Sequence, residues 1–305
     1  MPPKISIGIP TYGGSTRMEW CLRSIYNVSN GRGLEAHDAH IVLLDDGSKD
    51  GGEGVRILGQ KYGVPTIVFP NNRGIPAAWN ALTDHYNADI TILLNDDIIV
   101  TPGWLEAMVY FLENNPKAGF ASWIFYFTKD EDMPKLLNGE SVIPRDPITK
   151  EPKPEKIGEC EGARPGRIMC PSGCCFAFKR EMYELVREYN KTIGLTGCFP
   201  EEFISFHEES HAGTVLAKHG FSSYGLTSPH LWHIWSATFG ASPELNAAWR
   251  MQHSRAMYCK AWDVPPEFHQ NPFNYTNPLL MPKIPPNLVK WMDPQMQPRE
   301  ELEIL

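Results

Sequence analysis

The segment Asp89-Ile90-Thr91-Ile92-Leu93-Leu94-Asn95-Asp96-Asp97 is an apolar run that stops abruptly in an amide and two carboxylates. A short run of this kind, rich in β-branched residues and ended by turn formers, reads as a buried strand. Working outward, the same pattern recurs upstream. Lys4 to Pro10 alternates isoleucine with Ser6 and Gly8, and His40 to Leu44 runs into Asp45-Asp46-Gly47-Ser48. Pro65 to Phe69 runs into Asn71-Asn72-Arg73-Gly74. Helical stretches, Arg17 to Asn27, Gly51 to Tyr62 and Pro76 to Tyr86, fall between these strands. Strands alternating with helices predict βαβ units, hence an α/β fold with a mainly parallel central sheet flanked by helices. In such sheets ligands gather at the carboxyl ends of the strands. Here those ends are polar: Pro10-Thr11-Tyr12, Asp45-Asp46 and Asn95-Asp96-Asp97.

Downstream the pattern loosens. Trp104 to Asn114 reads as a helix, with Thr101 as its cap and Pro102 at its first position. Residues 129–167, rich in Pro, Lys, Glu and Gly, read as an irregular insertion. A strand at Gly173 to Phe178 and a helix at Arg180 to Tyr189 follow, then a helix from Pro243 to Lys260. The proline-rich remainder cannot lie inside a sheet. These shifts divide the chain into a domain over 1–241, with halves at 1–115 and 116–241, and a C-terminal extension over 242–305.

Composition narrows the class. The 305 residues are 42% hydrophobic and 11% aromatic, which supplies a sizeable core and argues against disorder. A net charge of -8 lacks the basic footprint of a nucleic-acid-coating protein. Met1-Pro2-Pro3-Lys4 leads straight into a strand without a signal-peptide pattern, and no stretch has the length and apolarity of a membrane span. No membrane insertion and a cytoplasmic location with reduced thiols are therefore expected for the seven cysteines. Cys160, Cys170, Cys174 and Cys175 lack the close paired spacing of a structural zinc site.

Adjacent carboxylates such as Asp96 and Asp97 repel one another unless a cation sits beside them. A Mg2+ or Mn2+ ion bridging to a diphosphate answers that need, because both take oxygen ligands. A helix-capping turn is the bland alternative. The ordered set Ile9-Pro10-Thr11-Tyr12, Leu44-Asp45-Asp46-Gly47-Ser48, Asn71-Asn72-Arg73-Gly74 with Asn80, and Asn95-Asp96-Asp97 resembles the family 2 glycosyltransferases. These are inverting enzymes of the GT-A nucleotide-binding fold. The resemblance extends over about residues 4 to 235. It implies a nucleotide-sugar donor, with UDP as the usual nucleotide. Pro10, Thr11 and Tyr12 would line the nucleotide pocket, and Asp46 with Asp45 would hold the base. Arg73 and Gly74 would pass near the donor, Asp96 would face the ribose, and Asp97 would bind the metal.

Further along, Pro171 to Glu181 is similar to the family's small-residue strand under the acceptor site. Phe206-His207-Glu208-Glu209-Ser210 is similar to the segment that carries the catalytic base. The family usually has Glu-Asp there; Glu209 falls on the Asp position, Glu208 stays a candidate, and His211 stands where a second Asp is often found. A late histidine completes the metal shell in related transferases, and His233 matches better than His230. Trp232 and Trp235 offer an apolar shelf for a sugar face. The acceptor implied is soluble: a saccharide, a protein or a modified nucleic-acid base. Two other readings compete. Gly13-Gly14-Ser15-Thr16-Arg17 superficially resembles the phosphate loop of a nucleotidyltransferase, and a non-catalytic sugar- or nucleotide-binding module could keep the same fold. Oligomeric state is not written in the sequence.

Overall fold

β1 (Ile5–Thr11) is buried at every position, so both of its faces are covered. The small residues at its alternate positions explain how. A side chain added at Gly8 would stand 2.9 Å from Leu82 Cβ, so glycine lets a helix lie directly on the strand. β1 pairs in parallel with β2 (Ala39–Asp45) on one side and β4 (Ile90–Leu94) on the other, and β3 (Thr66–Val68) continues in parallel beyond β2. The computed structural model describes residues 3–29, 32–145, 152, 166–168, 171–234 and 242–263.

The nine-stranded sheet runs β3-β2-β1-β4-β8-β6-β9-β5, with β7 paired to β9. β8 (Cys175–Lys179) is antiparallel to β4 and to β6 (Ala118–Thr128), while β6 and β9 (Ser222–Ile234) are parallel. β5 (Ile98–Ile99) and β7 (Gly166–Ile168) run antiparallel to β9. Six strands therefore share one direction. Helices α1 (Ser15–Ser29), α3 (Glu53–Tyr62) and α5 (Trp104–Asn114), following the short α2 (Arg32–Ala36) in chain order where needed, bury Leu22, Val55 and Met108 on one face. On the other face α4 (Ile75–Tyr86), α7 (Arg180–Thr192), α8 (Glu208–Lys218) and α9 (Ala247–Trp262) bury Leu82, Val186, Val215 and Trp262. Helix α9 thus belongs to the same core as the sheet.

Several local expectations change. Gly103, at φ 82°, precedes α5 without a side-chain cap, while the Thr101 hydroxyl donates to the His230 carbonyl at 2.6 Å. Pro102 consequently lies ahead of the helix. The helix expected from Pro243 is split: a 3₁₀ turn at Pro243–Leu245 ends at Asn246, whose side chain accepts from Trp249 N and starts α9. The insertion contains regular structure, a 3₁₀ turn (Asp130–Asp132), α6 (Met133–Leu137) and β7, and within it buried Asp132 holds both Lys135 and Arg145. Cys21, Cys175, Cys198 and Cys259 are buried and Cys174 is half-buried. Most of 146–165, Cys160, Cys170, Trp235 and the proline-rich 264–305 lie outside the described residues.

Candidate active site at the carboxyl edge of the sheet

The parallel register places Thr11 opposite Asp45 and brings the end of β4 beside the end of β1. The Thr11 hydroxyl donates to Asp96 Oδ2, and Gly14 N donates to Thr11 Oγ1 at 3.0 Å. A Cβ at Gly14 would stand 2.0 Å from Asp96 Oδ2, so only glycine allows this loop to close on the carboxylate. Burial, reinforced by the neighbouring Asp97, raises Asp96 to about 7. Arg17 on α1 is the nearby cation; it pairs with Asp130 at 3.0 Å. Burial would lower its pKa, but Asp130 and the fields of Asp96 and Asp97 raise it.

Asp45 turns its oxygens into its own loop, and Asp46 turns its oxygens toward the 72–74 turn. Asp45 accepts from Ser48 N at 2.9 Å and from the Ser48 hydroxyl. Asp46 Oδ1 accepts from Arg73 N at 2.7 Å, and Oδ2 accepts from Gly74 N at 2.9 Å and Asn72 Nδ2 at 2.8 Å. Asp46 therefore ties the 72–74 turn to β2, and burial, opposed by those amides, raises it to about 6. Gly74, at φ 90°, packs against the Ile204 carbonyl, where a Cβ would come within 2.0 Å. This contact joins the turn to the loop that precedes α8. The Arg73 guanidinium lies at the rim, 4.7 Å over Phe69 and 2.7 Å from Glu201.

Asp97 and His233 meet because β5 pairs with β9: Ile98 sits opposite His233, and Ile234 N donates to Asp97 O. His233 Nε2 is 3.3 Å from Asp97 Oδ1, and both residues are buried. Asp97 Oδ1 has no hydrogen bond among the described residues, so the two side chains face each other without satisfying that oxygen. A buried carboxylate oxygen beside an imidazole nitrogen is a donor set for a hard divalent cation. The described residues bring no three His, Cys, Asp or Glu side chains together as a complete metal cage. Two protein ligands suit an ion whose remaining positions are filled by phosphate and water. His230 points elsewhere, its ring 4.1 Å from Tyr126. Trp232, expected as a sugar shelf, is instead packed with Ile99, Met133 and Ile234.

Glu208 and Glu209 open α8 after a stretch in which Ile204, Phe206 and His207 all have positive φ. Such a run of left-handed non-glycine residues is held by its surroundings and is typical of functional segments. The holding comes from α9: Ser254 Oγ bonds to the Phe203 and Ser205 carbonyls, and His253 Nε2 to Glu202 O at 2.9 Å. Oε2 of both Glu208 and Glu209 lacks a hydrogen bond among the described residues. Burial raises Glu209 to about 7, and burial with Glu209 beside it pushes Glu208 well above the carboxylate range. The helix N-terminus favours their charge, but desolvation outweighs it. A Cβ at Gly173 would stand 3.3 Å from Glu209 Oε1, while the next residue's carbonyl, Cys174 O, receives Asn95 N at 2.8 Å. The 173–174 strip thus lies between Glu209 and the Asn95–Asp97 turn.

Asn80, expected at the cofactor site, and His211, which stands at a position often held by Asp, make other contacts. Asn80 donates to Phe199 O at 2.8 Å and accepts from Phe199 N at 3.2 Å, so its amide holds the 197–199 segment from behind the sheet edge. His211 is buried on the far side of α8, accepting from Trp262 Nε1 at 3.1 Å and bonding Asn190 Oδ1 at 2.7 Å. Burial lowers it to about 3, keeping it neutral. Pro10 is buried at the end of β1 and Tyr12 is half-buried, its hydroxyl 3.4 Å from Glu244 Oε1. Glu244, Arg250 and Ser254 were not anticipated at the site. They lie more than 230 residues after β1 in the chain, and nothing in local spacing ties them to β1 or β2.

The family model described as "Glycosyl transferase family 2" matches residues 6–186, more than half of the chain, and stops ahead of Glu208, Glu209 and His233. No curated protein matches the sequence. Among solved structures, a mannosyltransferase from Pyrobaculum calidifontis, in complex with GDP-Man and Mn2+, superposes with a TM-score of 0.55 at 19% identity. That match covers 95% of this chain and 74% of the other. TarS 1-349 from S. aureus has a TM-score of 0.52 at 14% identity, covering 84% and 64% respectively. These likenesses carry the GT-A fold.

Proposed function

The chain belongs to glycosyl transferase family 2, and on that premise we propose that it moves a sugar, with inversion, from a nucleoside-diphosphate sugar to an acceptor hydroxyl. The observation that carries this reading is the pairing of two incompletely bonded acidic sites at one sheet edge. Asp97 Oδ1 lies beside His233, and Glu209 lies across the 173–174 strip. Residues 1–115 form the donor half and 116–241 the catalytic half. Asp97 and His233 would hold a divalent cation, Mn2+ or Mg2+, which when bound supplies charge neutralisation at the leaving diphosphate. The similar mannosyltransferase, solved with GDP-Man and Mn2+, supports a nucleotide-sugar donor with a metal.

Glu209, at about 7, is poised to accept a proton near neutral pH. It takes the acceptor hydroxyl's proton as that oxygen attacks the anomeric carbon. The new carbon–oxygen bond forms while the bond to the diphosphate breaks, and the electron pair leaves with the diphosphate. A single displacement inverts the centre. Glu208, more strongly held as the neutral acid, is less available as a base near neutral pH. A soluble saccharide, protein or modified nucleic-acid base remains the acceptor class, and no described helix is long and apolar enough to cross a membrane.

One observation weighs against phosphate-loop nucleotidyl transfer. Gly13 N donates to Ser48 Oγ at 2.7 Å and Gly14 N to Thr11 Oγ1, so the amides that would cradle a phosphate are already engaged. Calorimetric titration of UDP, GDP and dTDP, with and without Mn2+, against wild type and Asp97→Asn tests the reading. Mn2+-dependent binding of one diphosphate that the variant loses is expected. Binding indifferent to metal and to Asp97, or none, would overturn it.

A further inference from the structure

The donor pocket has a wall that the family match does not cover. Segment 242–263 returns over the ends of β1 and β2, where two side chains fasten it. Glu244 pairs with Lys49 at 2.7 Å and approaches the Tyr12 hydroxyl. Arg250 Nη2 donates to Asn72 Oδ1 at 2.6 Å, and its Nε donates to Leu245 O at 2.7 Å. Arg250 is half-buried and has no carboxylate within ion-pair distance among the described residues. Its Nη1 group has no hydrogen-bond acceptor among them either, although the fields of Asp46 and Tyr12 act on it. A guanidinium held by two neutral acceptors, with donors left over, stands ready for an acceptor atom that a ligand brings.

Asp46 limits what that ligand can be. Its Oδ2 already receives two donors, whereas Oδ1 receives only Arg73 N. A carboxylate oxygen can accept about two hydrogen bonds, so one site stays open on Oδ1. Asn72 adds no donor, because its amide N–H groups go to Asp46, while its oxygen, which accepts from Arg250, keeps one further lone pair. The edge beside Tyr12 therefore offers a donor group from Arg250 beside an open acceptor site on Asp46 Oδ1.

We propose that Arg250 and Asp46 together read a carbonyl next to a ring N–H on the donor's base, with Arg250 as the specificity-determining residue. Uracil, thymine and guanine carry that lactam edge; cytosine and adenine reverse or lack it. The inference rests on the nucleotide-sugar reading above and deepens it, because it assigns base selection to a helix outside the matched region.

The test measures the binding of UDP, GDP, CDP and ADP, with Mn2+, to wild type, Arg250→Met and Arg250→Lys, with thermal unfolding as a check on folding. Wild type is expected to bind UDP or GDP at least about tenfold more tightly than CDP and ADP, since unmatched polar groups at a recognition edge discriminate strongly. Arg250→Met should lose about tenfold on the preferred nucleotide and little on CDP or ADP. Arg250→Lys, which keeps the charge but not the planar fork, should restore part of the affinity and little of the discrimination. If wild type binds diphosphates without discriminating bases, or if folded Arg250→Met keeps the preference, the inference fails while the transferase reading stands. If no diphosphate binds wild type, both fail.

Discussion

Two sets of buried carboxylates face the same sheet edge in opposite states. Asp45 has an oxygen bonded within its own loop, and Asp46 and Asp96 have oxygens bonded to backbone amides or a hydroxyl of neighbouring segments. Among the described residues, Asp97, Glu208 and Glu209 each keep an oxygen without a hydrogen-bond partner. A buried polar group with its hydrogen bonds made contributes to folding, whereas one left open costs free energy. The first set shapes the pocket. The second set is held in a costly state that is useful only when a cation, a phosphate-bearing ligand or a substrate proton arrives.

The comparison is broken most severely at Glu209. Glu209→Gln should lower the transfer rate by about a hundred- to ten-thousandfold, as loss of a general base does, while leaving the melting temperature unchanged or higher. A variant that melts earlier and still turns over would place Glu209 with the structural set. The same group gives the rate its pH dependence: below its pKa of about 7 the rate should drop about tenfold per pH unit. Stability moves the other way. Glu209 rises from its ordinary 4.5 to about 7 on folding, so between those values the folded state holds a proton that the unfolded chain has released. Its contribution to stability is therefore fully present below about 4.5 and is lost as pH rises through about 7. Denaturant melts of wild type and Glu209→Gln across that window should show a shallower slope in the variant.

Smaller effects sharpen the other side. Asp46→Ala strips acceptors from Arg73 N and Gly74 N and should destabilise the chain by about 1–3 kcal/mol, read by urea unfolding. Ser254→Ala removes the bond that holds the Phe203 and Ser205 carbonyls and should cost about 1 kcal/mol. Its activity should fall more than its stability, since the strained 204–207 segment leads directly into the start of α8, where Glu209 sits. Equal losses would make α9 a packing element only.

Asp89 to Asp97, Lys4 to Pro10 and His40 to Ser48 were legible because a parallel strand and its terminal turn are local patterns. Thr101 was misread as a cap because a hydroxyl near a helix start can equally serve a strand 129 residues away. Trp232 lost its role to packing against Ile99 and Met133. Asn80 was singled out, but no spacing shows that its amide would be taken by Phe199.

By itself the sequence determined the βαβ order, the polar strand ends and the family, because periodicity and short motifs are encoded by neighbours along the chain. Only the tertiary structure decided which buried carboxylates are bonded and which are open. It alone set His233, rather than His230, against Asp97, and it brought Glu244, Arg250 and Ser254 to the pocket. Those outcomes depend on β5 pairing with β9 and on α9 folding back over β1 and β2. Hydrogen-bond satisfaction and desolvation are settled only once distant segments have excluded water together.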